Sequence, residues 1–452
     1  MIQDNILTSS GGILTNTLIH KTQALCPDCL QELEADVVED QFGAVYLNRT
    51  CPKHGPISFK IWPNAEHYKW MSSFSMPKLK PQSQTPSKAP CPFSCGLCSR
   101  HERMSTLLEI EVTVKCNLRC PVCFMSAEDS SVDPDLDDIR KMYETIKSSV
   151  GTDGAVQLTG GEPSCREDLA EIIKLGRSMG FWGIEINTNG LRIAHEDGYL
   201  ESLVQAGLTG VYLSFDGLDA HSYKSSCGVN LLPTKLKVIE RCREVGIQCV
   251  LAVTVIKNIN NKQLGDIVEF CLENIDVVAG LALQPAFISG RFEEAHSESY
   301  TMGDVIYDLA EQSQGLIDVQ DIWPLGCAHP LCDSGTLLVK NEETEAFEPI
   351  TRYLSKDDFI ANFNQNAPQG SVFFDIASKK KIDISKSLSI IIMNYMDART
   401  MDTQRLRECS MTVVCPDGAV VPFCSYHLTN SKGRRVYAPW NREDLRYLTE
   451  RS

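Results

Sequence analysis

Nineteen cysteines are spread unevenly along this 452-residue chain, and their spacing is where chemistry could begin. Fourteen fall into five local groups: Cys26, Cys29 and Cys51; Cys91, Cys95 and Cys98; Cys116, Cys120 and Cys123; Cys327 and Cys332; Cys409, Cys415 and Cys424. The sharpest is Cys116-x3-Cys120-x2-Cys123. Three thiolates this close can wrap an iron–sulfur cube, for which cysteine is the usual ligand. A [4Fe–4S] cube has four irons, so three local cysteines leave one iron open to a substrate or cofactor. The alternative is zinc, but zinc knuckles pair two close cysteines with a distant pair or a histidine. No fourth ligand stands near these three. Cys26-x2-Cys29 with Cys51-x2-His54 does have that zinc spacing and predicts a small zinc-ribbon or rubredoxin-like knuckle holding Zn or Fe. The single cysteines (Cys165, Cys227, Cys242, Cys249, Cys271) read as small buried hydrophobes.

The elements that must position the central triplet follow a regular rhythm. Strand-like LLEIEVTV (107–114) runs into it, and a helix follows at 134–150 with Ile139, Met142, Tyr143 and Ile146 on one stripe. AVQL then ends in Thr159-Gly160-Gly161-Glu162-Pro163, and the alternation continues to GLALQPAFI, making six βα units. Such alternation means parallel strands with helical crossovers, and apolar strands of this kind are expected to be buried on both faces. A doubly wound sheet would use mainly its switch point. Here the polar and glycine-rich segments all follow strand ends: the cysteine loop, Gly-Gly-Glu-Pro, Asn189-Gly190, Ser214-Phe215-Asp216-Gly217, Asn258 and Gln284-Pro285. That pattern favours a partial (β/α)6 barrel, whose site is built at the C-terminal strand ends. The expected organisation is a zinc-ribbon/rubredoxin-like domain over 20–75, a linker with a cysteine motif over 76–104, the barrel over 105–318, and a cysteine-rich C-terminal domain over 319–452. Within the last, Pro416-Asp417-Gly418 reads as a hairpin turn.

A net charge of −16 argues against a phosphate-binding surface, so nucleic acid is excluded as a partner. The acidic run ELEADVVEDQ beside the knuckle points the same way. The N-terminus has no basic region followed by an apolar core, and no apolar run approaches the ~18 residues of a membrane span. A cytoplasmic protein with no transmembrane segment is expected, and in that reducing compartment the cysteines are not a disulfide framework.

Cys116-x3-Cys120-x2-Cys123 after the first strand, with Gly160-Gly161-Glu162-Pro163 after the second, resembles the radical S-adenosylmethionine (SAM) superfamily. The resemblance implies that the open iron chelates the amino and carboxylate groups of SAM. It also implies reductive cleavage to a 5′-deoxyadenosyl radical, which takes a hydrogen atom from an unactivated carbon. On that reading Gly160 and Gly161 let the backbone approach the ligand, and Glu162 accepts bonds from the SAM ammonium. Asn189, Ser214 and Asp216 are ribose or carboxylate contacts by position. The family usually has an aromatic residue just before the third cysteine; here Val122 stands there and Phe124 follows Cys123. Cys91, Cys95 and Cys98 repeat the ligand spacing and are expected to hold an auxiliary [4Fe–4S] cluster, or zinc, with a fourth ligand from the C-terminal group. A second auxiliary cluster is expected on Cys327, Cys332, Cys409 and Cys424, which leaves Cys415 as the missing ligand of the first or as a buried residue.

The order of motifs over nearly the whole chain is similar to the archaeal tetraether lipid synthase group, which includes enzymes described as dihydropterin methyltransferases. It runs from Cys-Pro-x-Cys and Cys-Pro-x-His-Gly to His329-Pro330-x-Cys332 and Pro422-Phe423-Cys424-x-Tyr426. That resemblance implies C–C bond formation or methylation on a lipid or small molecule, with a reductant such as flavodoxin or ferredoxin. The segment commonly closes on Asn, and here His427 follows Tyr426; a long apolar channel signature is also missing. A peptide-modifying radical SAM maturase is the alternative enzyme, although the clustered cysteine spacing of such caps is not evident. A non-enzymatic iron–sulfur or zinc protein would have no use for Gly-Gly-Glu-Pro at a strand end.

Overall fold

The computed structural model describes residues 5–7, 13–81, 90–93, 95–125, 132–292, 299–341, 344–363 and 372–437. Within the linker expected over 76–104, residues 82–89 and 94 lie outside the described residues.

Four antiparallel strands form an N-terminal sheet in sequence order: β1 (Thr17–Leu25), β2 (Glu32–Glu39), β3 (Val45–Cys51) and β4 (Gly55–Trp62). The turns after β1 and β3 carry the Cys26/Cys29 and Cys51/His54 pairs, so strand pairing brings the two knuckles together.

The core follows the predicted alternation. Strand β5 (Leu107–Thr113) leads to the cysteine loop and α1 (Leu136–Val150). The α1 helix starts where Asp135 accepts a bond from the Asp138 N–H, and it buries Ile139, Met142, Tyr143 and Ile146, the stripe its sequence presents. After it come β6 (Ala155–Gly160), α2 (Leu169–Ser178), β7 (Gly183–Thr188), α3 (Tyr199–Ala206), β8 (Gly210–Ser214), α4 (Ala220–Cys227) and α5 (Leu232–Val245). The series ends with β9 (Cys249–Val255), α6 (Leu264–Glu273) and β10 (Val278–Pro285). The six strands lie side by side, parallel and in sequence order. There is no reversal of strand order, so this is the partial barrel rather than the doubly wound sheet.

The C-terminal third continues this sheet at both edges. Strand β11 (Asp333–Lys340) runs antiparallel to β12 (Ser387–Met393), which lies parallel to β10. On the far edge β13 (Met411–Val414) pairs parallel to β5 and turns back into β14 (Val420–Pro422) through the predicted Pro-Asp-Gly hairpin. The N-terminal sheet is tied to the stretch before β13. Arg49 donates to the carbonyls of Leu25 and Arg399, both at 2.7 Å, and Thr22 donates to Asp402 at 2.8 Å.

The expectation that the strands are buried on both faces holds for β5 and β6 and needs correction for β7 and β8. Ile184 and Ile186 of β7 and Val211 and Leu213 of β8 are buried under the helices, but Glu185, Asn187, Tyr212 and Ser214, on the other face, are only partly covered. The inner face of this barrel is polar, which no apolar-run argument anticipates. Among the described residues no helix is long and apolar enough to cross a membrane.

Candidate active site

Gly-Gly-Glu-Pro sits at the end of β6, pressed against the base of the cysteine loop. The Gly161 and Glu162 N–H groups donate to the carbonyls of Thr113 and Lys115 at 2.7 and 2.8 Å. A Cβ on Gly160 would lie 2.0 Å from the Thr113 carbonyl oxygen, and one on Gly161 2.2 Å from that of Lys115. Gly160 also holds φ at +128°, which glycine tolerates. The close approach expected of these glycines is thus made, in the first instance, to the chain's own backbone just before Cys116.

Glu162 is 1% exposed, and its carboxylate is occupied. Oε1 accepts from the Ser164 N–H (3.0 Å), Ser164 Oγ (2.6 Å) and Thr188 Oγ1 (2.7 Å), and Oε2 accepts from the Asn189 N–H (2.7 Å). The side chain expected to receive an ammonium group also clamps the ends of β6 and β7 together, with three donors on Oε1 and one on Oε2. Such donors are what keep a buried carboxylate stable.

The other predicted contacts do converge on this mouth. Asn189 Nδ2 donates to Asn117 Oδ1, inside the cysteine loop, at 2.7 Å. Ser214 Oγ and the Asn189 carbonyl both accept from Lys235 Nζ, at 3.0 and 2.6 Å. Asp216 accepts from Ser226 Oγ at 2.7 Å and faces Cys227 Sγ at 3.4 Å. Lys235 went unnoticed in the sequence, yet it is 0% exposed. Its signal was available: it falls three residues before Val238 and seven before Cys242, on the buried stripe of α5.

Cys116, Cys120 and Cys123 are half-buried on the loop after β5. Burial pushes the Cys116 thiol up to about 12, and the neighbouring Glu162, Cys120 and Cys123 add to that. Cys120 is drawn down by a hydrogen bond from Cys227, so a residue read as a small hydrophobe stands beside a predicted ligand. Arg291 anchors the loop by donating to the Cys120 carbonyl at 3.0 Å. Soft thiolates on a glycine-bounded strand end suit a cubane cluster.

The outer cysteines are only partly gathered as expected. Cys91, Cys95 and Cys98 neighbour one another, and burial pushes Cys95 up to about 12. Cys415 shares an apolar cluster with Cys95 and Cys424. Cys332, Cys409 and Cys424 also form a group: burial, then the adjacent thiols, drive Cys409 well above its ordinary value. Arg405 donates to Cys332 Sγ at 3.2 Å. Cys327 does not join them. Its thiol donates to Asp333 at 2.9 Å, and it packs with Phe74, Trp323 and Phe359 instead.

The N-terminal knuckle is the tightest group. The ligand atoms of Cys26, Cys29, Cys51 and His54 all lie within 4.8 Å of one another. Cys29 and Cys51 Sγ are 3.7 Å apart, and His54 Nδ1 is 3.3 Å from Cys26 Sγ. A tetrahedron with ~2.3 Å Zn–S bonds has edges of about 3.8 Å, so the set fits zinc. Against the upward push of burial, backbone N–H groups of Lys53 and His54 and the His54 ring bring Cys51 down to about 6.

The inner wall was not read from the sequence at all. Glu109, Gln157 and Glu185 stand side by side in register on β5, β6 and β7. Burial, then the Glu111 charge, pushes Glu109 up to about 8, and burial brings Glu111 to about 7. Glu111 receives the Tyr426 hydroxyl at 3.3 Å. His427 is fully buried with Nε2 3.3 Å from Glu111 and Nδ1 3.2 Å from Arg435. Arginine can only donate, so Nδ1 is the acceptor and Nε2 carries the imidazole proton, without the alignment of a hydrogen bond to Glu111. Nearby is a cluster of tilted and edge-on rings, Phe124, Phe287, Tyr395 and Phe423, with centroids 4.7–5.6 Å apart in neighbouring pairs; Tyr395 is within electrostatic reach of Glu109.

Comparison with known proteins agrees with this arrangement. The radical SAM superfamily profile matches residues 110–271, and that of the HMPTM N-terminal zinc ribbon domain matches residues 18–63. A 7,8-dihydro-6-hydroxymethylpterin dimethyltransferase of Methanocaldococcus jannaschii is 31% identical over 90% of this chain and 93% of its own. A probable GTP 3′,8-cyclase of Methanothermobacter thermautotrophicus is 32% identical over 38% of this chain and 56% of its own. With a relative that similar along nearly its whole length and the superfamily profile on its barrel, this chain belongs to the radical SAM superfamily, as an enzyme with an N-terminal zinc ribbon.

Proposed function

We propose that this radical SAM enzyme transfers a one-carbon unit to a small, flat, polar heterocycle of the reduced-pterin class, rather than joining lipid chains. The observation that carries this reading is the inner wall: Glu109, Gln157, Glu185, Asn187 and Tyr212 face the barrel interior, and Tyr395 of an aromatic cluster lies within electrostatic reach of Glu109 and Tyr212. An alkyl chain would offer no donor to the Glu109 carboxylate or to Asn187 Oδ1, at a cost of roughly 1–3 kcal/mol each. A heterocycle with N–H and C=O groups on its rim would satisfy them while stacking on the rings. The similarity to the dihydropterin dimethyltransferase agrees with this choice.

On this reading Cys116, Cys120 and Cys123 hold a [4Fe–4S] cluster, and SAM sits over the mouth made by Gly160, Gly161, Asn189, Ser214 and Asp216. A cluster of that kind with SAM on its open iron supplies, when bound, the 5′-deoxyadenosyl radical. This chain's own residues do the positioning. Glu162 fixes the glycine turn, Asn117 and Asn189 tie the loop to β7, and Lys235 holds the ends of β7 and β8 at one level. Cys332, Cys409 and Cys424 form the better auxiliary site, with Arg405 offsetting the charge of their thiolates. Cys91, Cys95 and Cys98 form another. A flavodoxin- or ferredoxin-type donor would supply the electron.

The test is an anaerobic assay of the reconstituted protein with reductant and SAM. Addition of 7,8-dihydro-6-hydroxymethylpterin should raise 5′-deoxyadenosine release, the pterin giving up the hydrogen atom that the 5′-deoxyadenosyl radical takes; a second SAM, as methyl donor, and a second electron from the reductant then complete the replacement of that hydrogen by methyl. The Cys116/Cys120/Cys123→Ala variant should do neither. Stimulation by an isoprenoid lipid and not by the pterin would overturn the reading.

A further inference from the structure

Several buried carboxylates in this protein are supplied with donors. Glu162 has four, Asp216 accepts from Ser226 and the Thr254 N–H, and Asp333 accepts from Cys327. Glu185 accepts from Gln157 Nε2 at 3.1 Å, and Gln157 in turn accepts from Asn187 at 3.3 Å. Glu109 stands out. It is 4% exposed, on the inner face of β5, in register with Gln157 and Glu185, and among the described residues no donor reaches its carboxylate. Unlike Glu111 Oε1 and Asp333 Oδ1, which are fully enclosed and accept no hydrogen bond, its oxygens keep access to the barrel interior, where donors of a ligand can meet them.

We infer that Glu109 is the specificity-determining residue of the barrel interior: its carboxylate receives the paired N–H donors of an amino-amidine edge on a planar heterocycle. This rests on the proposed function and names which edge of the substrate is read, and by what. Three features support it. The carboxylate ends a polar row in which Gln157, Glu185 and Asn187 bond one another, whereas Glu109 has no donor from the row. Tyr395 lies within electrostatic reach of Glu109 and packs at a tilt against Phe287 and Phe423, so a flat ring resting on that cluster presents its rim to the carboxylate. Two parallel N–H donors match the two oxygens of a carboxylate, as a guanidinium does. The 2-amino-4-oxopyrimidine half of a pterin has that edge; a 2,4-dioxo ring lacks the amino donor. Glu111, two residues on, is unsuited to the role because Tyr426 and His427 already face it.

The test uses the full chain, purified anaerobically, and two probes: 6-hydroxymethylpterin and its 2,4-dioxo counterpart 6-hydroxymethyllumazine. Binding is followed by ligand fluorescence above about pH 8, where Glu109 is ionised in the folded chain. Wild type should prefer the amino compound by about tenfold or more, the range expected for charged hydrogen bonds. Glu109→Gln should weaken the amino compound by about as much, leave the dioxo compound within about twofold, and so abolish the preference. Glu185→Gln serves as a second variant and should keep most of the preference. Thermal melting accompanies each: Glu109→Gln removes an undonated buried carboxylate, so it should melt at or above wild type, whereas a purely structural glutamate would melt lower when replaced. If wild type binds the pterin and Glu109→Gln keeps the preference, the assignment to Glu109 is overturned and the proposed function stands. If wild type binds neither pteridine, the proposed function falls, and this inference with it.

Discussion

Asn189 and Asn117 are seventy-two residues apart in sequence, and their side-chain amides meet at 2.7 Å across the mouth of the barrel. One belongs to the end of β7 and the other to the cysteine loop, so the bond couples the loop's shape to the strand beside the glycine turn. Asn189 Oδ1 is also engaged, accepting the Leu191 N–H at 3.0 Å, which fixes the amide's orientation.

Replacing Asn117 with Ala should therefore loosen the loop without removing a thiol. Iron and sulfide content should stay near wild type, while SAM affinity, read from the EPR change of the reduced protein on SAM addition, falls by about tenfold, as expected for one buried hydrogen bond. Unchanged SAM titration would mean that the amide pair does not set the loop.

Glu162→Gln tests whether that side chain is a clamp or a ligand. The amide nitrogen must face either the Asn189 N–H or the Ser164 and Thr188 donors, so at least one donor meets a donor. A clamp predicts a loss of about 2–3 kcal/mol in unfolding free energy even without SAM, measurable by denaturant titration. A role confined to ligand binding would leave the melt of the SAM-free protein alone.

The two inner-wall glutamates give stability a pH slope of defined sign. Glu109 is raised from 4.5 to about 8 and Glu111 to about 7, both chiefly by burial. Between pH 4.5 and these values the folded chain holds protons the unfolded chain has lost, so stability is highest on the acid side and declines as pH rises through the window. Each group contributes a slope of up to about 1.4 kcal/mol per pH unit. Glu109→Gln should be less pH-dependent than wild type between pH 5 and 8, and superimposable slopes would show that the carboxyl is not desolvated.

The zinc ribbon should act on residues far from its metal. Asp402 receives Thr22 from β1 and also caps the short helix Thr403–Leu406, from which Arg405 reaches Cys332. Cys51→Ser, or chelation of the ribbon metal, is expected to raise hydrogen exchange over 398–409 as well as within 18–63. Exchange confined to the ribbon would show that the two regions are mechanically separate.

Much of this was legible in the chain itself. Helix stripes such as Ile139, Met142, Tyr143 and Ile146, and strands ending in glycine or asparagine, report local periodicity, which does not depend on what packs where. Cysteine spacing on a short loop likewise limits which thiols can share a metal, and the Cys26/Cys29 and Cys51/His54 pairs needed only a hairpin to meet. Other features depend on curvature and long-range closure. A strand's two faces look alike in sequence until the sheet bends, so Glu109, Gln157 and Glu185 became an inner wall only when parallel register placed them in one row. Cys327 and Cys332 are five residues apart, yet their thiols have different partners: Cys327 donates to Asp333, whereas Cys332 accepts from Arg405 and neighbours Cys409. The sequence by itself determined the barrel, the ribbon and the thiol triplet, because these follow from local spacing. Tertiary structure decided which carboxylates are satisfied and which face the interior, because donors for a buried charge come from strands and loops far apart in the chain.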